Sequence, residues 1–424
     1  MSIRGIINSL KLCFLCLGHK NPRAKPNSEL ETRRTNAAAA SDSENPLLLS
    51  LPDEIIYEIL SMLPVKSLLR FQCVSKSWLS IISSPHFIKS HLNFAASSTD
   101  NQRILLMFIG LDNHPVNCSV NRLLYKQPID AIPTNFPTLA LRGEFAVMGC
   151  CDGMMVCSSL IKRCYFLWNP STRKCKELPN LGIESDELEN KCNVFLGLGY
   201  DETNDDYKVV GIVCLFGRNL KPCSVKIKVY TTRSESWRTI EEDFPGDYIL
   251  QESSSSKFLN GKLHWVVKKD QHHKSIFTVD LETERYVEFQ GPDCIHYTMA
   301  ILEILKGRLC LLCNYDCRHP TQMWIMMEYG VKESWTKVLT IPRLSYSRWR
   351  VYKLFGASEN GEVLLDAGGS LVLYNAKDRS FKNYQTGGFD GIVYVESLVS
   401  PYANDAPEKE LQQEDQSKKP GWDR

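Results

Sequence analysis

The spacing of apolar positions changes along the chain, from a helical period in residues 51–92 to an alternating period beyond residue 100. The helical pattern is interrupted at Pro64 and resumes until Ser75, which is a candidate N-cap for a third helix. The pattern therefore predicts three short helices within about 35 residues. The apolar face of the first helix consists of Leu51, Ile55, Ile59 and Met62 or Leu63.

This helical segment is too small to fold around a core of its own. Domains below roughly 40 residues usually need a disulfide, a metal or a partner. Pro52 suits the first helical turn, and Asp53 and Glu54 follow where the helix dipole favours carboxylates. We therefore expect a helical unit that completes itself against another protein.

Short motifs within the segment resemble the F-box, a helical interaction module. They are the opening Leu51–Pro52–Asp53–Glu54, the junction Leu63–Pro64, Leu68, and the run Val74–Ser75–Lys76–Ser77–Trp78. The resemblance implies docking on a Skp-type adaptor, which links to a cullin and a ubiquitin-conjugating enzyme. The alternative is a plain helical hairpin of the next domain's core, which needs the leucine spacing but not these motifs. The adaptor-binding residues implied by the resemblance are Leu51, Pro52, Ile55, Ile59, Leu63, Pro64, Leu68, Val74 and Trp78.

Beyond a spacer from Asn93 to Asp100, short alternating segments are separated by turn residues. A tight hairpin centred on Gly or Asn recurs about every fifty residues, and a second, polar turn follows it each time. A repeat of roughly fifty residues with four strands predicts propeller blades, and Arg103 to Ser400 leaves room for about six. The hairpins are Cys151–Asp152–Gly153, Asn204–Asp205–Asp206, Asn260–Gly261, Lys306–Gly307 and Asn360–Gly361.

The predicted fold class is therefore a multidomain α+β protein, with a small three-helix F-box followed by an all-β kelch-like propeller. Because a ring of blades must close, the strand around Ile392 to Val399 is expected to complete the first or last blade. Aromatic residues shared by the repeats are expected to pack between blades. These are Trp168, Trp237, Tyr286, Trp335 and Phe381. The expected segments are 1–45 (disordered basic leader), 46–92 (F-box), 93–100 (linker), 101–400 (propeller) and 401–424 (disordered tail).

Several runs in the strand-rich region also resemble the F-box-associated, kelch-like domain of plant F-box proteins, such as the S-locus F-box proteins and those controlling immune-receptor levels. The two resemblances together cover residues 51–400. They imply a substrate-recognition subunit of an SCF-type ubiquitin ligase, with a protein substrate on the propeller. The long basic leader departs from many members, and a non-degradative scaffold that binds Skp remains the alternative. The runs are GCCDGMMVC, LWNPSTRK, GLGYDETNDDYKVV, VYTTRSESWR, FLNGKLHWV and YVESLVSP.

Composition narrows the possible partners. The chain has 424 residues, of which 43% are hydrophobic and 23% charged, as in soluble proteins with more than one domain. Its 50 basic and 49 acidic residues leave a formal charge of +1, so no global field would recruit nucleic acid. No stretch reaches the roughly 18 apolar residues of a transmembrane span.

The 16 cysteines are scattered rather than grouped as in small secreted scaffolds, which favours a reduced cytoplasmic or nuclear compartment. Cys150–Cys151 and Cys214 are expected to act as small hydrophobes. A group with ligand types for zinc, Cys310, Cys313, Cys317 and His319, is a weaker alternative to packing. Cys310 and Cys313 lie on a predicted strand, where residues three apart point to opposite faces. No metal or cofactor is expected.

The leader carries basic residues around a short apolar run from Leu12 to Leu17. Cys13 and Cys16 in this run are candidates for S-acylation, which would add peripheral membrane association. The alternative is a disordered leader without modification.

No catalytic motif supports an enzyme. His264 is the best single candidate, but no repeated acid or histidine accompanies it, and a packed or hydrogen-bonded histidine is favoured. His272–His273 is expected to be solvated. The sequence lacks a GxSxG elbow, an HExxH helix and a phosphate-binding Walker loop. Recognition is expected instead from three irregular segments, Gly182 to Lys191, Asp243 to Ser256 and Asp316 to Gln322.

Overall fold

A computed structural model describes most of the chain between residues 52 and 403. The leader with Cys13 and Cys16, Leu51, and the predicted tail beyond residue 403 lie outside the described residues. The chain divides into two compact units, Met1–Leu63 and Pro64–Arg424. The described residues are 52–97, 101–108, 115–127, 132–134, 145–159, 164–183, 192–216, 222–240, 249–250, 255–268, 274–293, 299–314, 319–342, 351–386 and 389–403.

In the first unit, helix α1 spans Asp53–Ser61. Pro52 is its N-cap, and the carboxylates of Asp53 and Glu54 lie in its first turn, as predicted from the helix dipole. The helix is amphipathic, and its buried residues are Ile59 and Leu60.

The second unit opens with three helices, α2 (Val65–Phe71), α3 (Lys76–Ile82) and α4 (Pro85–Ala96). Ser75 caps α3 by accepting a hydrogen bond from the Trp78 amide at 3.1 Å, as predicted. Helix α4 was not predicted, although Ser84 caps it and Pro85 occupies its first turn. Residues 93–96, assigned to the linker from sequence, belong to this helix.

The rest of the second unit is a propeller of six antiparallel sheets, which confirms the predicted fold. Blade 1 contains β1 (Gln102–Phe108), β2 (Val116–Ser119), β3 (Ile132–Pro133) and β25 (Phe389–Val395), with α5 (Val120–Leu124) after β2. Blade 2 contains β4 (Phe145–Cys151), β5 (Met154–Ser159), β6 (Cys164–Trp168) and β7 (Cys175–Glu177). Blade 3 contains β8 (Cys192–Asp201), β9 (Asp206–Phe216), β10 (Pro222–Thr231) and β11 (Ser236–Ile240).

Blade 4 contains β12 (Ile249–Leu250), β13 (Lys257–Leu259), β14 (Lys262–Lys268), β15 (Lys274–Asp280) and β16 (Tyr286–Gln290). Blade 5 contains β17 (Met299–Leu305), β18 (Arg308–Asn314), β19 (Thr321–Met326) and β20 (Trp335–Ile341), with a 3-10 turn at Lys332–Ser334. Blade 6 contains β21 (Val351–Ala357), β22 (Glu362–Ala367), β23 (Ser370–Asn375) and β24 (Ser380–Thr386). The inner strands β25, β4, β8, β13, β17 and β21 contact one another in turn around the axis.

The ring is closed by the last strand. β25 pairs with β1 over its whole length, from Gln102 opposite Val395 to Phe108 opposite Phe389, and so completes the first blade. The chain that follows is held on blade 2 by the buried amide of Asn169, which donates to the carbonyl oxygens of Ser397 at 3.2 Å and Val399 at 2.7 Å.

The predicted hairpins are present, and their backbone explains their residue types. Asp152, Asn260 and Lys306 have φ values of 52°, 51° and 49°, and each precedes a glycine with positive φ. Two successive left-handed residues are typical of the tight turns that match strand twist. Packing between blades requires other glycines. A Cβ on Gly197 would lie 2.5 Å from the Trp265 ring, so blades 3 and 4 can approach this closely only without a side chain here.

The predicted set of equivalent aromatics is wrong at one position. Trp237 pairs with Tyr230 across the third and fourth strands of its blade, and Tyr286, Trp335 and Phe381 occupy the same register in theirs. Trp168 lies on the third strand instead, and Cys175 is its partner on the fourth. Trp168 is nevertheless buried in the core between blades 1 and 2.

The propeller has two ends with different connections. Turns from the first to the second strand of a blade and from the third to the fourth, such as Asp152–Gly153 and residues 169–174, lie at one end, here called the hairpin end. Connections from the second to the third strand and between blades lie at the opposite end, here called the crossover end. All three segments predicted to recognise a partner connect strands at the crossover end, and part of each lies outside the described residues.

Candidate functional site

The predicted adaptor-binding residues differ in exposure. Val74 is 55% exposed in the turn between α2 and α3. Pro52 and Pro64, which precede α1 and α2, are also exposed. Ile55, Leu63 and Trp78 are half-buried. Trp78 packs edge-to-face on Phe71 with ring centroids 5.3 Å apart, which holds the indole in place between helices α2 and α3.

Two of the predicted contacts are buried side chains. Ile59 is 7% exposed and Leu68 has no exposed surface. Both side chains contribute to packing in the free chain. Their role as adaptor contacts stays a prediction. Leu51 lies outside the described residues, and its contact stays a prediction.

Two exposed apolar residues of the helical segment were not among the predicted adaptor contacts. Met62, which directly follows α1, is 46% exposed, and Phe94 on α4 is 50% exposed. The helical spacing of the first helix allowed either Met62 or Leu63 on the apolar face, and only the structure shows that Met62 is the freer of the two. Phe94 lay in the predicted spacer, so no helical face was considered for it.

Helix α4 packs on the hairpin end of the propeller. Its Leu92 is 8% exposed in a cluster with Met154 and Val399 of the propeller. One turn earlier, the Lys89 ammonium donates to the Tyr200 hydroxyl at 3.2 Å and lies 3.6 Å from the Asp205 carboxylate. The last helix before the propeller is therefore seated directly on blades 2 and 3.

His264 is a packed residue, as the sequence favoured. It has no exposed surface, and its two ring nitrogens lie 3.0 Å from the Lys257 carbonyl oxygen and 2.8 Å from the Tyr329 hydroxyl. Burial lowers the pKa of His264 to about 4, so the ring is neutral near pH 7. Both nitrogens have protein partners, which leaves none free to act on a substrate. His272–His273 lies outside the described residues.

The cysteines considered for zinc are also packed. Cys310 and Cys313 lie in β18 and belong to different apolar clusters on opposite faces of blade 5. Burial raises the pKa of Cys310, which disfavours the thiolate that a metal would need. Cys317 lies outside the described residues. Within the described residues, no group of three or more His, Cys, Asp or Glu side chains could hold a metal.

The best-formed charged cluster of the propeller joins blades 3 and 4. The Lys208 ammonium donates to Asp201 at 2.7 Å, to Glu284 at 2.9 Å and to the Leu281 carbonyl at 2.6 Å. Burial opposes the ionisation of Asp201, but hydrogen bonds from Lys208 and Asn204 outweigh it and hold the pKa of Asp201 below its ordinary value. All three donors of Lys208 are used, so this cluster stabilises the ring and leaves no group for chemistry.

None of the helices in the described part of the chain is long and apolar enough to span a membrane.

Comparison with known proteins agrees with this architecture. The F-box domain matches residues 48–90, and the F-box associated beta propeller domain matches residues 98–401. An F-box/kelch-repeat protein of Arabidopsis thaliana is 31% identical over 363 residues, covering 83% of this chain and 96% of the relative. Another F-box protein of that plant is 30% identical, covering 79% and 87%. The F-box protein CPR1 of Arabidopsis thaliana is 27% identical, covering 88% and 94%. The chain therefore belongs to the plant F-box proteins in which an F-box is followed by an F-box associated β-propeller.

Proposed function

We propose that this F-box protein is the substrate-recognition subunit of an SCF-type ubiquitin ligase. Its helices bind a Skp-type adaptor and through it a cullin, while the propeller binds a protein substrate that is then ubiquitinated and degraded by the proteasome. The protein itself supplies no reacting group. Holding substrate lysines near a conjugating enzyme that carries ubiquitin raises their effective concentration. This can accelerate ubiquitin transfer by orders of magnitude.

The observation that carries this proposal is the exposed apolar surface on the F-box helices. Val74 is 55% exposed in a turn of a helical unit too small for a core of its own, which leaves this apolar side chain free for a partner. The exposed prolines at 52 and 64 and the half-buried Trp78 extend the set of adaptor contacts. This role is consistent with the F-box match.

We further propose that the substrate binds at the crossover end of the propeller. Helix α4 occupies part of the hairpin end through Leu92 and Lys89. Connections at the crossover end include the three irregular segments predicted to give specificity, and repeat proteins usually carry recognition on such loops. Adaptor and substrate would then lie at different parts of the molecule and could bind together.

The adaptor contact is tested with Val74→Asp, because an exposed residue can be changed without a cavity in the core. A carboxylate buried against the adaptor would be desolvated without a partner, so we expect co-purification of a Skp-type adaptor to fall by at least about tenfold. Asn93→Asp, an exposed position on α4, is the matched control for the added charge. Undiminished adaptor binding by Val74→Asp would refute the assignment of this surface.

The half-life of the bound partner distinguishes a ligase receptor from a non-degradative scaffold. Proximity labelling with Val74→Asp, which keeps the propeller but lacks the ligase, should enrich proteins held by the crossover end. Their half-lives should be longer in cells carrying Val74→Asp than in cells carrying the unchanged chain. Equal half-lives would favour a non-degradative Skp-binding scaffold.

A further inference from the structure

A cavity of about 360 Å³ lies on the propeller axis at the hairpin end. The inner strands β4, β13, β17, β21 and β25 contribute to its lining, together with residues of α4 and α5. Its volume is within the range of sites for small organic molecules and is too small for a folded domain. Nothing in the proposed ligase role uses this cavity.

One ion pair lies in the lining, which also contains the charged residues Asp152, Lys306 and Glu359. The Lys257 ammonium of β13 lies 2.6 Å from a Glu303 carboxylate oxygen of β17, and their side chains are 14% and 10% exposed. Within the described residues, Glu303 is the sole acceptor that the ammonium of Lys257 contacts. An ammonium has three donors, so two remain for whatever occupies the cavity.

The same propeller contains a buried lysine whose hydrogen-bond donors are all paired with protein oxygens. Lys208 directs its ammonium to three protein oxygens, from Asp201, Glu284 and Leu281. Lys257, whose side chain is 14% exposed against 6% for Lys208, has one such oxygen. Because unmade hydrogen bonds of a buried charged group are costly, the difference between the two lysines points to an acceptor supplied from outside the protein.

Apolar side chains form part of the remaining walls, beside polar residues such as Asp152 and Ser256. Phe258, Leu305 and Tyr125 line the cavity and keep free surface, since none of them is fully buried. We propose that the cavity binds a carboxylate carried on a small apolar body, with the carboxylate on Lys257 and the body against these three side chains. The carboxylate can belong to a free organic acid or to the C-terminal residue of a peptide.

The lining also connects this site to the F-box side of the protein. Leu92 and Ala96 of α4 line the cavity, and Leu92 is also part of the core that seats α4 on the propeller. A molecule in the cavity therefore contacts α4 and inner strands together, and it should strengthen the seating of α4 on the ring.

The test uses the purified full-length chain and two acid–amide pairs. One pair is 3-phenylpropionate with 3-phenylpropionamide, and the other is N-acetyl-leucyl-phenylalanine with its C-terminal amide. Calorimetric titration should show at least one acid binding about tenfold or more tightly than its amide, since a charge-assisted hydrogen bond is lost in the amide. Preference for the first or second pair identifies the source of the carboxylate.

Three variants separate ligand binding from folding. Lys257→Met with Glu303→Gln removes the pair without leaving a buried charge, and it should bind acid and amide equally while melting as a folded propeller. Glu303→Gln alone should bind the acid more tightly, because the competing carboxylate is gone. Lys377→Met, an exposed lysine at the same end of the propeller but outside the lining, is the matched control and should bind like the unchanged chain. Absence of binding by both acids at millimolar concentration, or an acid preference that survives in the double variant, would overturn the proposal.

Discussion

The F-box helices and the propeller differ in how completely they bury their apolar side chains. The helical segment leaves Met62, Val74 and Phe94 about half exposed within residues 52–97. The propeller also leaves residues such as Val287 and Met327 about half exposed, but these are spread over a much longer stretch of chain. It buries Trp168 and Trp265 completely and joins its last strand to its first. A closed ring leaves no inner edge to pair with another chain, whereas short helices with exposed apolar residues still have surface to bury.

Because of this difference, we expect substitutions in the two regions to affect different properties. The propeller should be stable without a partner, so changes in it should act mainly on the free energy of unfolding. The exposed helical residues should affect binding and leave unfolding almost unchanged. Helix α4 carries a residue of each kind, the buried Leu92 and the exposed Phe94. Substitutions in this one helix therefore test both expectations.

The largest effect is expected at the closure of the ring. Asn169→Ala removes the amide that donates to Ser397 and Val399, leaves two buried carbonyl oxygens without that donor, and should cost about 3 kcal/mol. Asn375→Ala is the matched control, because Asn375 accepts from a backbone amide two residues later in blade 6, as Asn169 does in blade 2. It should cost less than about 1 kcal/mol.

Urea unfolding measures both variants. Their difference gives the contribution of the closing segment, since the local turn bond is lost in each. Equal destabilisation would mean that the segment after β25 adds nothing to the stability of the ring.

The second effect compares two apolar residues on α4. Leu92→Ala should destabilise the second unit by about 2–3 kcal/mol through lost burial and a cavity. Phe94→Ala, at a position 50% exposed, should change the unfolding free energy by less than about 0.5 kcal/mol. Thermal unfolding of both variants measures these changes. A similar loss of unfolding free energy in each would show that Phe94 is not a free surface residue.

The third effect is a pH dependence from His264. Its pKa is about 4 in the folded protein, mainly through burial, and near 6.5 in the unfolded chain. Between these values the unfolded chain binds more protons, so stability is complete above about pH 6.5 and falls as the pH is lowered toward 4. From pH 7 to 5 the expected loss from this group is about 2 kcal/mol.

His264→Gln can keep hydrogen bonds to Lys257 and Tyr329 but cannot titrate. The slope of unfolding free energy against pH should therefore be smaller in this variant than in the unchanged chain. An identical slope in both proteins would assign the pH dependence to other groups.

The sequence allowed accurate prediction of features that depend on local chemistry. Hairpins at Asp152–Gly153 and Asn260–Gly261 were predicted because left-handed backbone favours these residue types, and their spacing gave the number of blades. The cap at Ser75 was predicted for the same reason. Helix α4 was missed although Ser84 and Pro85 are ordinary start signals, because the change of period was placed too early in the chain.

Other features depend on which residues meet in three dimensions. The helical pattern placed Leu68 and Val74 among the apolar positions, but it could not show that Leu68 is buried and Val74 exposed. Trp168 was placed one strand too late, since its blade has Cys175 where others have an aromatic. Lys257 and Glu303 belong to different blades, and no motif connects them before the inner strands meet.

The smallest effect is expected at the surface contact between α4 and blade 3. Lys89 donates to Tyr200 and lies near Asp205, but its side chain is 59% exposed and that of Asp205 is 71% exposed. Exposed ion pairs contribute little because water and salt screen them. Lys89→Ala should therefore cost less than about 1 kcal/mol in low salt, with the difference shrinking at higher salt. Thermal unfolding at two salt concentrations measures it. A loss as large as that of Leu92→Ala would mean that charge, and not apolar burial, seats α4 on the propeller.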